Sequence, residues 1–183
     1  MTTHDSPGPM HLVMTAGATV AGAAFVGAST NAINGVVSPH YFRQIMQWEG
    51  VADIWKAAIA QGIFEGLIVG MLAAFVFTLV VGIASRARCP FQTALRHLIP
   101  MIGGVYCCWI AGGLIAMGLA TLSPEFYVRT FIGVPEQDVP RLCYAWVGGS
   151  IWGAQFGGLI AVTIGSIVFA NNWHLIAKST DGA

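Results

Sequence analysis

The length of the uncharged runs limits this chain more than any other feature. Leu12 to Val37, Ala57 to Ser85, Leu98 to Leu122 and Leu142 to Trp173 contain a single charged residue between them, Glu65. A hydrocarbon core about 30 Å thick takes about 20 apolar residues of helix, and every run exceeds that. Lipid offers no water to unpaired amides, so such runs must be helical; a closed barrel would need short alternating strands, which are absent. The expected fold is an all-α integral membrane protein with four transmembrane helices. Composition agrees, because only 9% of residues are charged against about 25% in an ordinary soluble domain. Eight Lys and Arg balance eight Asp and Glu. With no basic surplus to neutralise a phosphate backbone, nucleic acid is excluded as a partner and the lipid bilayer is left.

The opening MTTHDSPGPM carries no Lys or Arg, so it lacks the basic segment of a secretory signal and no cleavage is expected. Arg86, Arg88 and Arg96 crowd the link between the second and third spans, with Lys178 on the same side; Arg43, Lys56, Arg129 and Arg141 lie on the other. The count ties, but charge density places the link in the cytoplasm and with it both termini, in a cell (inner) membrane. Cys89 and Cys143 fall on opposite sides, while Cys107 and Cys108 are neighbours within a span. No disulfide framework is expected.

The chain also carries the same pattern twice. His11-Leu12-Val13 opens the first run and His97-Leu98-Ile99 the third. Ser38-Pro39 closes the first and Ser123-Pro124 the third; Asp53-x-x-Lys56 and Asp138-x-x-Arg141 precede the second and fourth. Gly62, Gly66 and Gly70 recur as Gly149, Gly153 and Gly157. The expected organisation is a tail over 1–9, a transmembrane hairpin over 10–86, a cytoplasmic link over 87–96, a second hairpin over 97–173 and a tail over 174–183, all in one structural domain. Two tandem hairpins keep their direction, so a parallel repeat about an axis along the membrane normal is expected. Serine before proline caps a helix whose first residue needs no N–H, which predicts short interfacial helices in the 38–52 and 123–140 loops. Asp53 and Asp138 are expected to cap the returning helices. Glycines at four-residue spacing let another backbone approach closely, as membrane helices require, and the Ala- and Gly-rich first run offers a partner surface.

Glu65 needs an explanation, because a charge at the centre of a span costs at least about 2.5 kcal/mol unless it is neutral, paired or facing water. Gln61 lies one turn away on the same face, Asn31 and Asn34 on the first run fall at a depth comparable with Gln61, and Gln155 is the nearest polar residue of the second half. These five form the candidate intramembrane polar cluster. The glycine register sets Trp152 opposite Glu65, so any chemistry belongs to the first half; Trp152 and Trp109 read as packing residues. His11, His97 and His174 lie near one membrane surface and are the weak candidates for a metal or haem, although no compact ligand spacing is present and no cofactor is expected. Neither an activated nucleophile nor a phosphate-cradling glycine loop is visible, so no catalytic residues are assigned and an enzyme is not expected. The leading expectation is a non-enzymatic module of tightly packed helices that self-associates or serves a larger membrane assembly. The alternative is a small ion- or proton-coupled transporter or channel using Glu65, Gln61, Asn31 and Asn34. A metal- or haem-binding subunit is the third. A water-accessible pocket running from the loop side down to Glu65 would favour transport, and a dry, filled centre the module.

Overall fold

The computed structural model of the chain describes residues 9–181, with side chains described as far as Leu175. The described residues are helical, without strands, in the order α1 (Met10–Val37), α2 (Pro39–Ile45), α3 (Ile54–Ser85), α4 (Phe91–Leu122), α5 (Pro124–Thr130) and α6 (Asp138–Asp181). Among them α1, α3, α4 and the Asp138–Leu175 stretch of α6 are long and apolar enough to cross a membrane. Large apolar side chains such as Phe25, Phe75, Ile115 and Ile160 stand exposed along all four helices, the inverse of a water-soluble bundle and what a lipid solvent permits. The absence of cleavage rests on residues 1–8, which lie outside the described residues, as does the side chain of Lys178.

The loops carry the two short helices that the Ser-Pro pairs predict, but the capping differs. Ser38 Oγ accepts the Tyr41 N–H at 3.3 Å, whereas Ser123 makes no side-chain cap. Asp53 accepts the Lys56 N–H at 3.0 Å. Asp138 instead sits inside the first turn of α6, its carboxylate bound by the Arg141 guanidinium, which also donates to Glu136 O. A nearby arginine competes better for a carboxylate than a backbone amide does. The expected boundaries also move. Pro90 starts α4 at Phe91, so the link shrinks from 87–96 to 86–90 and Arg96 rides on the helix; α6 runs on to Asp181 through the expected tail. Arg86 and Ala87 both adopt left-handed backbone, φ 51° and 58°, which turns the chain sharply enough for so short a link.

α1 packs mainly on α3, and α4 on α6, with thinner seams joining the two pairs. Within each pair the glycines set the separation. A Cβ at Gly62 would strike Gly27 O, one at Gly66 would lie 2.5 Å from Ala23 O, and one at Gly70 would lie 2.9 Å from Ala23 Cβ. In the second pair Gly149 faces Gly112 O, Gly153 faces Cys108 O and Gly157 faces Cys108 Cβ, each with no room for a methyl group. Between the pairs, Ser29 Oγ and Tyr106 Oη share a hydrogen bond of 2.6 Å from α1 to α4. Two apolar clusters close the ends of the bundle. The loop-end cluster gathers Tyr41, Phe42, Ala58, Ala120, Tyr144 and Val147, and the opposite cluster gathers Phe77, Val81, Leu98, Met101 and Phe169.

Candidate functional site

A cavity of about 110 Å³ lies between these clusters and between the two helix pairs. α1 contributes Gly27, Thr30 and Asn31, α3 contributes Glu65, α4 contributes Val105, and α6 contributes Gln155. Gly66 of α3 and Gly158 of α6 are among the lining residues and contribute no side chain to fill the space.

Glu65 is partly buried, and its Oε1 accepts a hydrogen bond of 2.8 Å from Gln61 Nε2 one helical turn away. That contact is local to α3, as the four-residue spacing requires. Asn31 and Gln155 reach the same cavity from opposite sides. Four of the five candidate polar residues are thus brought together: Glu65 and Gln61 by a bond, Glu65, Asn31 and Gln155 by a shared space.

Asn34 departs from the expected cluster. It is fully buried and accepts a hydrogen bond of 3.1 Å from Ser150 Oγ of α6, while its Nδ2 finds no protein partner. It ties α1 to α6 above the cavity instead of lining it. The reason is rotational: three residues advance a helix by less than a full turn, so Asn31 and Asn34 meet different neighbours. Trp152 also departs from expectation. It stands 58% exposed, stacked on Phe156, because the residues that face the other pair are Ile151, Ala154, Gln155 and Gly158. Trp109 is buried and meets Trp146 edge to face, as a packing residue does.

The histidines do not converge. His11 Nδ1 accepts the Phe91 N–H at 3.1 Å and so caps α4. His97 Nδ1 lies 3.0 Å from Thr93 O, with its ring against Phe169, and His174 is exposed. Among the described residues no three metal-ligating side chains stand close enough to hold an ion. His11 serves a helix end and His97 packs in the cluster opposite the loops.

Sequence reasoning missed Tyr41, which it placed in an interfacial segment. Tyr41 is buried at the loop end, with its ring 5.0 Å from that of Tyr144 and in contact with Gly148. Burial, and then the neighbouring Tyr127 and Glu65 charges, push its hydroxyl up to about 12. Tyr41 therefore belongs to the buried loop-end cluster. His40 Nε2 contacts Gly133 O at 3.0 Å across the two loops, and Tyr144 Oη donates to Ile132 O, so the loop end is tied together by polar contacts. The useful signal was the alternation of Tyr41-Phe42 with Arg43-Gln44, which marks one buried face of a short helix.

No protein-family model, curated protein or solved structure matches the chain. The functional reading therefore rests on the geometry alone.

Proposed function

We propose that the chain is a small ion- or proton-coupled transport protein, without enzymatic activity, in which Glu65 is the protonatable group of the central cavity. The observation that carries this reading is the position of Glu65: its carboxyl accepts a hydrogen bond from Gln61, and Glu65, Asn31 and Gln155 are all among the residues that line a mainly apolar space between the two helix pairs. A carboxyl in such a place is costly as a structural element alone, and the usual use of an intramembrane acid is to exchange a proton or bind a cation. A site between two plugs suits alternating access, in which one cluster parts while the other stays closed. In this reading the halves 10–86 and 97–173 are tandem hairpins derived from one another. The matched crossings Gly27 with Gly62 and Gly112 with Gly149 support the duplication, and Glu65 belongs to one copy only. The arginine-rich link faces the cytoplasm together with both termini, leaving α2 and α5 on the outer surface. The reading requires no cofactor.

Proton or cation flux into proteoliposomes tests it. The parent protein is expected to show flux that Glu65→Gln abolishes. Unaltered flux in the variant, or none in either protein, refutes the proposal.

A second reading, self-association or service as a subunit of a larger membrane assembly, has one observation in its favour. Most small residues are used within the pairs, but Gly103, Cys107 and Ala111 leave an open stripe on the exposed face of α4. Oxidative crosslinking through Cys107, with the mass of the solubilised particle, tests this. A monomer that does not crosslink removes it.

A further inference from the structure

The composition of the cavity beside Glu65 selects its occupant. This inference rests on the transport reading above and narrows the substrate of that same site. Most of the wall is aliphatic, with Val26, Val69, Ile102, Val105 and Ala154 among the lining residues. One oxygen of Glu65 is taken by Gln61, and among the described residues no side chain donates to the other. No Lys, Arg or His lines the space, so an ionised Glu65 has no counter-charge from the protein. The volume, about 110 Å³, is somewhat below the roughly 150 Å³ of an apolar cavity that takes benzene; the space is half open, so an occupant of about four or five non-hydrogen atoms fits it with room at the open side.

These properties eliminate the simpler guests. An anion meets an acidic group and no donor of positive charge. A neutral hydrocarbon leaves the carboxyl unpaired. A bare calcium ion needs six to eight oxygen ligands, more than Glu65, Asn31 and Gln155 supply, and the aliphatic wall replaces none of the water it would lose. A guest with one positive end and a short apolar body satisfies both parts of the wall at once.

We infer that the cavity binds a small alkylammonium ion, with its ammonium group on the Glu65 carboxylate and its alkyl body along the aliphatic faces of α4 and α6. Binding to the protonated site converts Glu65–COOH and R–NH3⁺ into the Glu65–COO⁻ and R–NH3⁺ pair and releases one proton. The charge held inside the membrane rises by none, because one cation replaces one proton. Asn31 and Gln155 offer amide oxygens to the remaining N–H groups. Transport by this site is then a one-for-one, electroneutral exchange of amine for proton.

Calorimetry on the full-length protein in lipid nanodiscs, with n-butylammonium as the probe and n-butanol and Na⁺ as comparisons, tests the inference. Butylammonium is expected to bind to the parent protein. Butanol and Na⁺ should each bind at least about tenfold more weakly, since one lacks the charge and the other the body. Glu65→Gln should lose butylammonium binding. Gly158→Ala should weaken it as well: a Cβ there has only Val69 Cγ1 near it, at 4.0 Å, so the helices stay packed while part of the cavity fills. Circular dichroism confirms the fold of both variants, and the cavity-filling variant carries the test if Glu65→Gln does not fold. Butanol or Na⁺ binding as tightly as butylammonium overturns the inference, as does full binding by Gly158→Ala. Proton flux that persists without butylammonium binding overturns the ligand class and leaves the transport reading standing; loss of both overturns the two together.

Discussion

Replacing Gly66 by alanine tests whether α1 and α3 are held by backbone contact. The added Cβ would lie 2.5 Å from Ala23 O, 2.7 Å from Ala24 Cα and 2.9 Å from Ala23 C. All three are main-chain atoms of a helix, so no side-chain rotation relieves the overlap. Restoring a separation of about 3.5 Å obliges the helices to part by about 1 Å at their crossing. A gap of that size forfeits roughly a quarter to a half of the dispersion attraction of each contact it opens, and lipid supplies no hydrophobic drive to offset it. Overpacking of this kind costs about 1–3 kcal/mol. Alanine is also the better helix former by about 1 kcal/mol, so the variant alone would understate the effect. Gly17→Ala removes that ambiguity, because nothing lies within 4 Å of a Cβ at Gly17. Both variants carry the same propensity gain, and their difference isolates the crossing, at about 1–3 kcal/mol with Gly66→Ala the less stable. Reversible unfolding in mixed micelles with increasing SDS, followed by circular dichroism, measures it. Equal stability of the two variants would refute the reading that close main-chain approach holds α1 against α3.

Three further outcomes are expected. The Ser29 to Tyr106 bond of 2.6 Å should appear in a double-mutant cycle of Ser29→Ala and Tyr106→Phe, with a coupling of about 0.6 kcal/mol and at most about 1.7 kcal/mol, read by the same SDS titration. Tyr41, raised to about 12 by burial and then by Tyr127 and Glu65, contributes stability that is fully present below its ordinary value near 10 and is lost as the pH rises through the folded value. The parent should therefore lose stability between about pH 10 and 12, by an amount on the order of 2 kcal/mol, and Tyr41→Phe should flatten that limb; a phenolate absorbance titration locates the transition. Ala87→Gly should stabilise the protein by about 0.5–1 kcal/mol, because φ is 58° at Ala87 and glycine occupies that region without the Cβ penalty. A thermal melt that falls instead would show that the turn is unstrained.

The cavity residues were partly legible in the sequence and partly not, and the division follows the range of the interactions. Glu65 and Gln61 are four residues apart on one helix, so their bond follows from helical geometry alone. Gln155 comes from the other half of the chain, and only the meeting of α3 with α6 brings it to the same space. Asn31 and Asn34 look equivalent along α1, yet one borders the cavity and the other meets Ser150. His11 and His97 open their helices at one membrane surface but end on separate partners, because equal depth in a bilayer does not make residues neighbours.

The amino-acid order by itself determined the solvent, the number of long helices and the places where the chain turns back. Each of those depends on a run of consecutive residues: about 20 apolar positions, a Ser-Pro pair, a capping aspartate. The tertiary structure alone decided which faces of the two pairs meet, that their midline stays unfilled, and that Tyr41 is buried while Trp152 turns outward. In lipid these choices are made by the fit of one helix surface to another, without the strong apolar drive that water would add. Helix rotations of a few tens of degrees therefore separate a carboxyl facing a cavity from one facing a neighbouring backbone, and no single stretch of sequence specifies that angle.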